Sequence, residues 1–164
     1  MSTLFCVREA SRADAPAIAA LMSELYRYEG YEVVAQADEV TSALFIDGRE
    51  VALRALVAVD RGREIVIGAL LFYPGYDTLS VSYGYHLADI IVTRRHRKSG
   101  VGTALVKALA AQTLAGKKEW ISLTALQRND AARGFYASLG MTQVAVDFYA
   151  MGKTSLVQLR LSAK

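Results

Sequence analysis

The stretch Leu87–Thr103 reads LADIIVTRRHRKSGVGT and joins a β-branched run to basic residues and then to glycines. Its first part, Leu87–Thr93, is rich in Ile and Val and predicts a strand. Its end opens the segment Gly100–Gly116, whose apolar residues recur at helical spacing and whose last glycine is typical of a helix C-terminus. A strand that leads directly into a long helix is characteristic of α/β folds.

The turn between this strand and this helix has the chemistry of an anion site. The first N–H groups of a helix lack intrahelical partners and carry partial positive charge. Gly100 and Gly102 have no Cβ atom to keep an anion from the backbone, and Arg97 and Lys98 add formal charge. A basic run by itself is more often a solvent-exposed surface than a binding site. Here the run lies between a strand and two glycines at a helix start, and this position favours a binding site. We therefore predict a phosphate-binding turn.

Several well-known motifs are absent from the chain, and their absence excludes some types of phosphate-binding and catalytic site. The chain has no Gly-x-x-x-x-Gly-Lys-Ser/Thr segment, so the turn is not a P-loop, and the third glycine of the dinucleotide fingerprint is missing after Gly102. Gly-x-Ser-x-Gly and His-Glu-x-x-His are also absent, which excludes a typical hydrolase nucleophile elbow and a typical zinc protease helix.

Outward from this turn, periodicity and turn residues predict one α/β domain over Met1–Lys164 with a mixed sheet, in the order β-α-α-β-β-β-α-β-α-β-β. Asn129 is a good N-cap and Gly140 a good C-terminal residue for the last helix. The segment Tyr76–Tyr83 is ambiguous. The other predicted elements are Leu4–Arg8, a helix from Ser11 or Asp14 to Leu25, Ala37–Phe45, a hairpin of Val51–Val59 and Glu64–Tyr73, a strand Trp120–Leu126, and a closing hairpin of Val144–Tyr149 and Thr154–Leu161.

The composition excludes several classes of protein. With 164 residues, 53% of them hydrophobic, the chain can bury a core without metal or disulfides. The single cysteine, Cys6, rules out an internal disulfide framework, and with two distant histidines it predicts no metal site. A net charge of +3 is too small for a general nucleic-acid binder. Without a leader-like N-terminus or an apolar run of membrane length, we expect a cytoplasmic protein with no membrane partner.

The turn and a downstream signature together resemble the GNAT N-acetyltransferase superfamily. Arg97–Gly102 is similar to that family's Arg/Gln-x-x-Gly-x-Gly/Ala pyrophosphate motif. Asn129, Phe135–Tyr136 and Leu139–Met141 follow as in the family's second signature. The resemblance covers Leu4–Leu161 and implies acetyl-CoA as the acetyl donor, no metal, and a fold whose central strands splay apart.

The resemblance also implies residues for donor binding and catalysis. Tyr136 matches the general acid that protonates the leaving thiolate, although its position alone would suit an ordinary amphipathic ring at a helix edge equally well. A backbone N–H of the splayed strand would hold the developing oxyanion. The implied cofactor-binding residues are Ile90, Ile91, Val92, Arg97, Lys98, Ser99, Gly100, Val101, Gly102, Thr103 and Asn129.

Within the superfamily the chain is most similar to the diamine and polyamine acetyltransferases. Three segments resemble the acceptor segments of that branch: Tyr28-Glu29, Tyr76-Asp77 and Leu87–Asp89. The resemblance implies Tyr28, Glu29 and Asp89 as the substrate-binding residues. Ala88 stands where the branch has a glutamate, and Thr78-Leu79 where it has Pro-Trp. A polycation needs carboxylates to bind, so we expect a smaller or less charged primary amine as the small-molecule acceptor.

The amine must lose a proton, and four side chains are candidates for accepting it, directly or through water: Glu29, Asp89, His86 and Tyr85. His86 has the ordinary pKa closest to neutrality, although a lone histidine beside a strand is more often only hydrogen-bonded. Two other functions stay open, a CoA-binding module without catalysis and an acetyltransferase that acts on a protein amine or lysine. The resemblance favours a homodimer.

Overall fold

The β-branched runs form the strands of one sheet in the computed structural model, which describes residues 4–45 and 53–162. Two units are distinguished along the chain, Met1–Ala125 and Leu126–Lys164. The first contains β1 Phe5–Glu9, α1 Ala15–Tyr28, α2 Ala37–Leu44, β2 Arg54–Asp60, β3 Val66–Asp77, β4 Ser82–Val92, α3 Val101–Ala115 and β5 Trp120–Leu123. The second contains α4 Asp130–Ser138 and α5 Lys153–Ser162. The prediction of a single domain over the whole chain stays a prediction.

The sheet has the strand order β1-β2-β3-β4-β5, with antiparallel neighbours except for the parallel pair β4 and β5. The predicted mixed α/β class is therefore confirmed. Short 3-10 turns precede two of the helices, Arg12–Asp14 before α1 and Arg94–His96 before α3. Residues 51 and 52 of the predicted strand Val51–Val59 lie outside the described part of the chain.

The ambiguous segment Tyr76–Tyr83 is the tip of a long hairpin between β3 and β4. Tyr76 pairs with Tyr83 across the two strands, and their rings lie 4.8 Å apart. The turn between them is closed by Asp77, whose carboxylate accepts the backbone N–H groups of Leu79 at 3.2 Å and Ser80 at 3.1 Å. An aspartate that accepts hydrogen bonds from the N–H groups of the residues after it commonly stabilises a turn. The turn at Asp77 lets the polar, aromatic segment fold back on itself, so that β3 and β4 stay paired up to their ends.

Helices cover the sheet from both faces. On one face, Ile18 of α1 and Val40 of α2 pack in a core cluster with Val57, Ala69 and Leu71 of the central strands. This face is called the α1 face below.

On the opposite face, the fully buried residues Val101 and Leu105 of α3 approach Gly68 of β3. A Cβ atom at Gly68 would lie 3.2 Å from Val101 and 3.1 Å from the carbonyl oxygen of Ile91. The missing side chain at this position therefore allows α3 to pack closely on the sheet.

The predicted closing hairpin of Val144–Tyr149 and Thr154–Leu161 is wrong. Residues 141–152 have no regular structure, and the second predicted strand is the helix α5. Leu156 and Leu159 are three residues apart, so the segment also fits a helical period, and the N–H of Leu156 donates to the carbonyl of Gly152 at 3.0 Å. Without a partner strand among the described residues, a helix satisfies these backbone groups locally, which an isolated hairpin strand does not.

Candidate functional site

The N-terminus of α3 is open to an anion. Gly100 takes the left-handed conformation with φ of 87° and caps the helix without any side-chain hydrogen bond. Ala104 is the first helix residue whose N–H has a backbone acceptor among the described residues, the carbonyl of Gly100 at 2.9 Å. The N–H groups of Val101, Gly102 and Thr103 therefore have no acceptor in the described part of the chain. No acidic side chain lies in the first turn to compete for an anion.

The residues before Gly100 shape this turn through their backbones. Lys98 has a positive φ of 60°, which is uncommon outside glycine, and reverses the direction of the chain. The Ser99 hydroxyl donates to the His96 carbonyl at 2.6 Å and the His96 ring is bonded to the Thr93 hydroxyl at 2.8 Å, so the 3-10 turn is braced from within. Turns that include left-handed residues can bring successive backbone N–H groups together around a phosphate.

The Arg97 side chain is directed to α1. Its guanidinium donates to Glu24 at 3.1 Å and, through Nε, to the carbonyl of Val92 at 3.1 Å. The same guanidinium lies over the Tyr28 ring, 5.7 Å from the ring centre. The structure thus brings Arg97, expected to bind the cofactor, directly onto Tyr28, expected to bind the acceptor. It adds Glu24, which the sequence did not single out, as a partner of Arg97.

β4 and the edge strand β5 separate after a short ladder. β4 and β5 are paired only from Gly84 with Trp120 to Leu87 with Leu123, and no described strand pairs with this edge of β4 beyond that point. A bulge also falls here, because Leu71 of β3 pairs with Asp89 whereas the next residue pairs with Leu87, which leaves Ala88 between them.

Backbone amides of β4 face the open edge beyond the ladder. The N–H of Thr93 donates to the carbonyl of Ile67 on β3 at 2.9 Å. Because successive residues of an antiparallel strand alternate between bonding to the neighbour and pointing away, the N–H groups of Val92 and Ile90 point to the opposite edge. Ile91 instead bonds toward β3, and its side chain is buried in the core. The splayed edge therefore offers two amides for an extended ligand.

Carboxylates gather on the α1 face. Asp89 pairs with Leu71, a member of the core cluster on that face, so its side chain points to the same side. Burial raises the pKa of Asp89. Burial, followed by the negative charges of Asp89 and Glu29, raises the pKa of Tyr26 on α1. Two predicted acceptor-site carboxylates, Asp89 and Glu29, thus lie near one phenol that the sequence analysis missed, and their negative charge favours a cationic ligand there.

A cavity of about 220 Å³ lies on the α1 face, between α1, α2 and the sheet. Its lining is mainly apolar, with Met22, Val40 and Leu71 among its walls, and its polar groups include Tyr26 and Glu39. An apolar cavity with a few polar groups is the usual form of a small-ligand site.

His86 stands in a row of three side chains that crosses three strands. It pairs with Tyr73 on β3 and with Ser122 on β5. Its Nδ1 atom lies 3.1 Å from the Ser122 hydroxyl, and its ring is 5.0 Å from that of Tyr73. Tyr73 is two residues from Leu71, so the row is on the α1 face, and burial lowers the pKa of His86.

Tyr85, another candidate proton acceptor, lies on the opposite face of the sheet. Its ring makes an edge-to-face contact with Phe72 at 4.9 Å, and its hydroxyl accepts from Arg54 at 3.0 Å. The alternation of side chains along β4 therefore separates Tyr85 from the α1 face, where Asp89 and His86 lie.

The remaining predicted site residues belong to the second unit. Asn129 is the N-cap of α4 and its side-chain oxygen accepts the N–H of Ala132 at 3.1 Å. Tyr136 is half-buried on α4, with its ring 5.4 Å from that of Phe135. The predicted N-cap role of Asn129 is confirmed, and the catalytic role of Tyr136 stays a prediction.

Sequence reasoning missed three residues of the site, and each had only a weak signal. Glu24 lies one turn before Tyr28 on α1, where a charged residue is ordinary, and Tyr26 lies one turn after Met22, where an aromatic residue fits the apolar face. Ser122 alternates with apolar residues in a short strand, as any solvent-facing serine would. Their roles depend on partners 73 positions away for Glu24 and 36 for Ser122, which local periodicity does not reveal.

Two further predictions concern membranes and metals. Within residues 4–45 and 53–162, no helix combines the length and the apolar character needed to cross a bilayer. The same residues contain no group of three or more histidine, cysteine, aspartate or glutamate side chains arranged to hold a metal ion. The cytoplasmic location and the homodimer stay predictions.

Comparison with known proteins identifies the family. The model of the GNAT acetyltransferase family matches residues 17–141, which is most of the chain. The chain therefore belongs to the GNAT acetyltransferase family, and the predicted membership in the superfamily is confirmed.

A curated relative has a defined acceptor. L-Ornithine N5-acetyltransferase of Arabidopsis thaliana is 32% identical over 79 residues, which are 46% of this chain and 33% of that protein. The match therefore spans about a third of that relative's length. The predicted polyamine branch stays a prediction.

Solved structures share the fold. An integron cassette protein of V. cholerae superposes with a TM-score of 0.79 and 20% identity, over 97% of this chain and 99% of that chain. A ribosomal-protein-alanine N-acetyltransferase of Brucella melitensis has a TM-score of 0.73 and 17% identity, over 90% and 99%. An aminoglycoside acetyltransferase from a soil metagenomic sample has a TM-score of 0.72 and 17% identity, over 92% of this chain and 97% of that chain. Identities this low show the fold alone.

Proposed function

We propose that this protein transfers the acetyl group of acetyl-CoA to a primary amine of a small molecule. The observation that carries the proposal is the uncapped, glycine-containing N-terminus of α3 directly beside the open edge of β4. One end of that arrangement suits a pyrophosphate and the other suits an extended amide-containing arm, and acetyl-CoA contains both.

The pyrophosphate of the donor would accept hydrogen bonds from the N–H groups of Val101, Gly102 and Thr103. Lys98 supplies charge at the same turn, whereas the Arg97 guanidinium is shared with Glu24 and Val92 and acts by shaping the turn. Since donors at a helix N-terminus are preorganised, this contact needs no rearrangement of the helix.

The pantetheine arm would extend along β4 in place of a strand. The N–H groups of Ile90 and Val92 that face the open edge are the donors for its amides. A backbone N–H near this point would also stabilise the oxyanion that forms on the thioester oxygen. Such a donor is typically worth roughly 3–4 kcal/mol in the transition state.

The acceptor would bind on the α1 face, with its ammonium group near Asp89 and Glu29. Burial raises the pKa of Asp89, so a cationic partner that keeps the carboxylate charged gains more there than at an exposed site. The mainly apolar cavity of about 220 Å³ suits an aliphatic chain attached to that amine. Ornithine, the substrate in the name of the Arabidopsis relative, has this combination.

The reaction is a direct displacement. The lone pair of the neutral amine attacks the thioester carbon, a tetrahedral oxyanion forms, and the C–S bond breaks as the carbonyl re-forms. The sulfur leaves as a thiolate and takes a proton from the Tyr136 hydroxyl, and the nitrogen loses one proton. The products are an N-acetyl amine and CoA, and alignment of the two substrates supplies much of the acceleration.

Polyamines should be poor acceptors. Ala88, at the bulge of β4, packs against the apolar core cluster and supplies no carboxylate beside Asp89. A charged group that lacks its partner in a desolvated site typically costs about 2–5 kcal/mol, which is roughly 30-fold to several-thousand-fold in affinity.

The test is the consumption of acetyl-CoA thioester with a panel of amines: ornithine, a simple monoamine, spermidine, and a peptide with a free N-terminus. We expect turnover with the small amines and a kcat/KM for spermidine at least tenfold lower. Efficient use of spermidine would instead assign the protein to the polyamine branch. Turnover of the peptide alone would make it a protein acetyltransferase, and CoA binding without turnover of any amine would make it a binding module.

A further inference from the structure

We infer that His86, held by Ser122, is the group that accepts the proton lost by the attacking amine. The inference rests on the proposed function, because it names the proton acceptor of that same site. It adds a catalytic residue, His86, and a positioning residue, Ser122, to the expected general acid.

The imidazole of His86 is fixed from both sides. The Ser122 hydroxyl lies 3.1 Å from Nδ1, and the ring of Tyr73 lies 5.0 Å away at an angle of 40°. When Nδ1 carries the hydrogen and donates it to Ser122, the lone pair is on Nε2. Among the described residues Nε2 has no hydrogen-bond partner, so this lone pair is available to a ligand.

The His86–Ser122 pair lies close to the end of the ladder between β4 and β5. His86 and Ser122 pair one residue before Leu87 and Leu123, the last pair of the ladder between β4 and β5. They are therefore at the point where the two strands separate, and on the α1 face. Asp89, the expected partner of the ammonium, is the next β4 residue on that face beyond the bulge.

The other candidate acceptors are less suited. Tyr85 is on the opposite face of the sheet and its hydroxyl is bonded to Arg54. Asp89 and Glu29 are carboxylates, whose charge suits them to hold an ammonium group. General base catalysis at neutral pH favours a group that titrates near neutrality, which among these four residues is the histidine.

The surroundings of His86 keep it ready to accept a proton. Tyr73 faces it from β3, Ser122 from β5, and Asp89 lies further along its own strand on the same face. Burial lowers the pKa of His86, which favours the neutral ring that can accept a proton.

The ammonium form of the amine first releases one proton to water, and the neutral amine loses a second proton during the reaction. As the N–C bond forms, an N–H bond of the amine breaks and its proton moves to Nε2 of His86, which becomes an imidazolium stabilised by Ser122. The thiolate takes a different proton, from Tyr136. After the products leave, His86 releases its proton to water.

The main experiment measures kcat and kcat/KM against pH for the full chain with its best amine. The wild-type profile should fall on the acid side. His86→Gln keeps a polar group beside Ser122 but no base, so kcat at pH 7 should drop about 10²–10⁴-fold. The deficit should shrink as the pH rises, because hydroxide then accepts the proton that the variant side chain cannot take. The affinity for CoA, measured by calorimetry, should be unchanged.

His96→Gln is the matched control, since His86 and His96 are the two histidines of the chain. His96 is on the 3-10 turn and is bonded to Thr93, so its variant should keep the acid-side fall. Ser122→Ala should lower kcat and shift that fall, and Ser122→Thr, which keeps the hydroxyl, should restore both.

A measurement on the unmodified protein covers the case in which a variant does not fold. Imidazole ¹⁵N shifts report which nitrogen carries the hydrogen, and we expect Nδ1–H for neutral His86. The Nε2–H tautomer, or an unchanged pH profile in folded His86→Gln, overturns the inference while acetyl transfer itself stands. If the wild type transfers acetyl to no amine, the proposed function fails and the inference fails with it.

Discussion

At the scale of single residues, surroundings decide what a carboxylate does. Asp14 is buried but accepts two hydrogen bonds from Arg8, at 2.7 and 2.9 Å, and its pKa is lowered to about 2. Asp89 is half-buried, has no cationic partner among the described residues, and burial raises its pKa. The first carboxylate stabilises the fold, whereas the second carries an unpaired charge that a cationic ligand would balance.

At the same scale, we predict that the hydroxyl of Tyr136 donates the proton that the leaving thiolate takes. Tyr136→Phe removes one hydroxyl and keeps the ring beside Phe135, so packing and CoA affinity should persist while kcat drops about 10²–10⁴-fold. Steady-state kinetics with a calorimetric CoA titration measures both effects. Phe135→Leu, on the neighbouring ring, is the control and should change stability more than it changes the pH dependence of turnover. If turnover of Tyr136→Phe stays within twofold while chemistry limits the rate, another donor protonates the thiolate.

At the scale of elements, glycines set how closely helices, rings and ligands approach the backbone. Gly68 admits α3 to the sheet, and Gly75 and Gly84 admit the Trp120 ring. A Cβ atom built at Gly84 would lie 2.0 Å from the indole, and one at Gly75 would lie 2.8 Å from it. Trp120 pairs with Gly84 and its Nε1 donates to the carbonyl of Ser82, so the indole lies flat across two strands at the start of the β4–β5 ladder.

We expect Gly84→Ala to destabilise the protein by about 1–3 kcal/mol, because the new methyl group overlaps the indole ring of Trp120. Urea unfolding measures the change. Gly62→Ala is the control, since its Cβ would meet only the Asp60 side chain at an ordinary 3.5 Å and should cost less than about 0.5 kcal/mol. Trp120→Leu should relieve most of the cost of Gly84→Ala in the double variant, and additive costs would show that the ring is not the obstacle.

The N-terminus of α3 yields the second prediction at this scale. Gly102→Val places a branched side chain between the phosphate and the free N–H groups of the first turn, so CoA should bind at least tenfold more weakly, or about 1.4 kcal/mol. Gly102→Ala, with a smaller group, should weaken binding less. Calorimetric titration gives the affinities, and thermal unfolding shows that both variants are folded. Equal CoA affinity in wild type and Gly102→Val would exclude the turn as the pyrophosphate site.

At the scale of the whole molecule, the contact between Arg8 and Asp14 ties β1 to the start of α1 and links folding to pH. The folded pKa of Asp14, about 2, is below its ordinary value of 3.8, so the stability it contributes is present above pH 4 and is lost as the pH falls toward 2. That difference corresponds to about 2 kcal/mol.

The comparison of wild type with Asp14→Asn isolates this contribution from that of other acids. The difference in unfolding free energy should be about 2 kcal/mol larger at pH 5 than at pH 2, as measured in urea. Asp130→Asn is the control, because its ion pair with Arg133 is exposed and such pairs contribute little. Parallel stability curves for wild type and Asp14→Asn would contradict the assignment.

Local patterns in the sequence determined much of this protein. The strand at Leu87, the glycine turn, the helix that follows it and the cap at Asn129 each depend on residues within one or two turns of each other. The anion-binding turn was predictable for the same reason, because backbone N–H groups and glycines act on the groups next to them. Composition and these short motifs also sufficed to indicate the family.

Only the tertiary structure decided which side chains meet. The Arg97–Glu24 pair joins residues 73 positions apart, and the His86–Ser122 pair joins residues 36 apart. Both depend on strand register, and a bulge of one residue, at Ala88, decides which β4 residues face α1 beyond it. The helix at Lys153 was mistaken for a strand because its apolar spacing fits both periods, and the presence or absence of a partner strand is not a local property. Register and pairing are set by the free energy of the whole packed sheet, which no short segment contains.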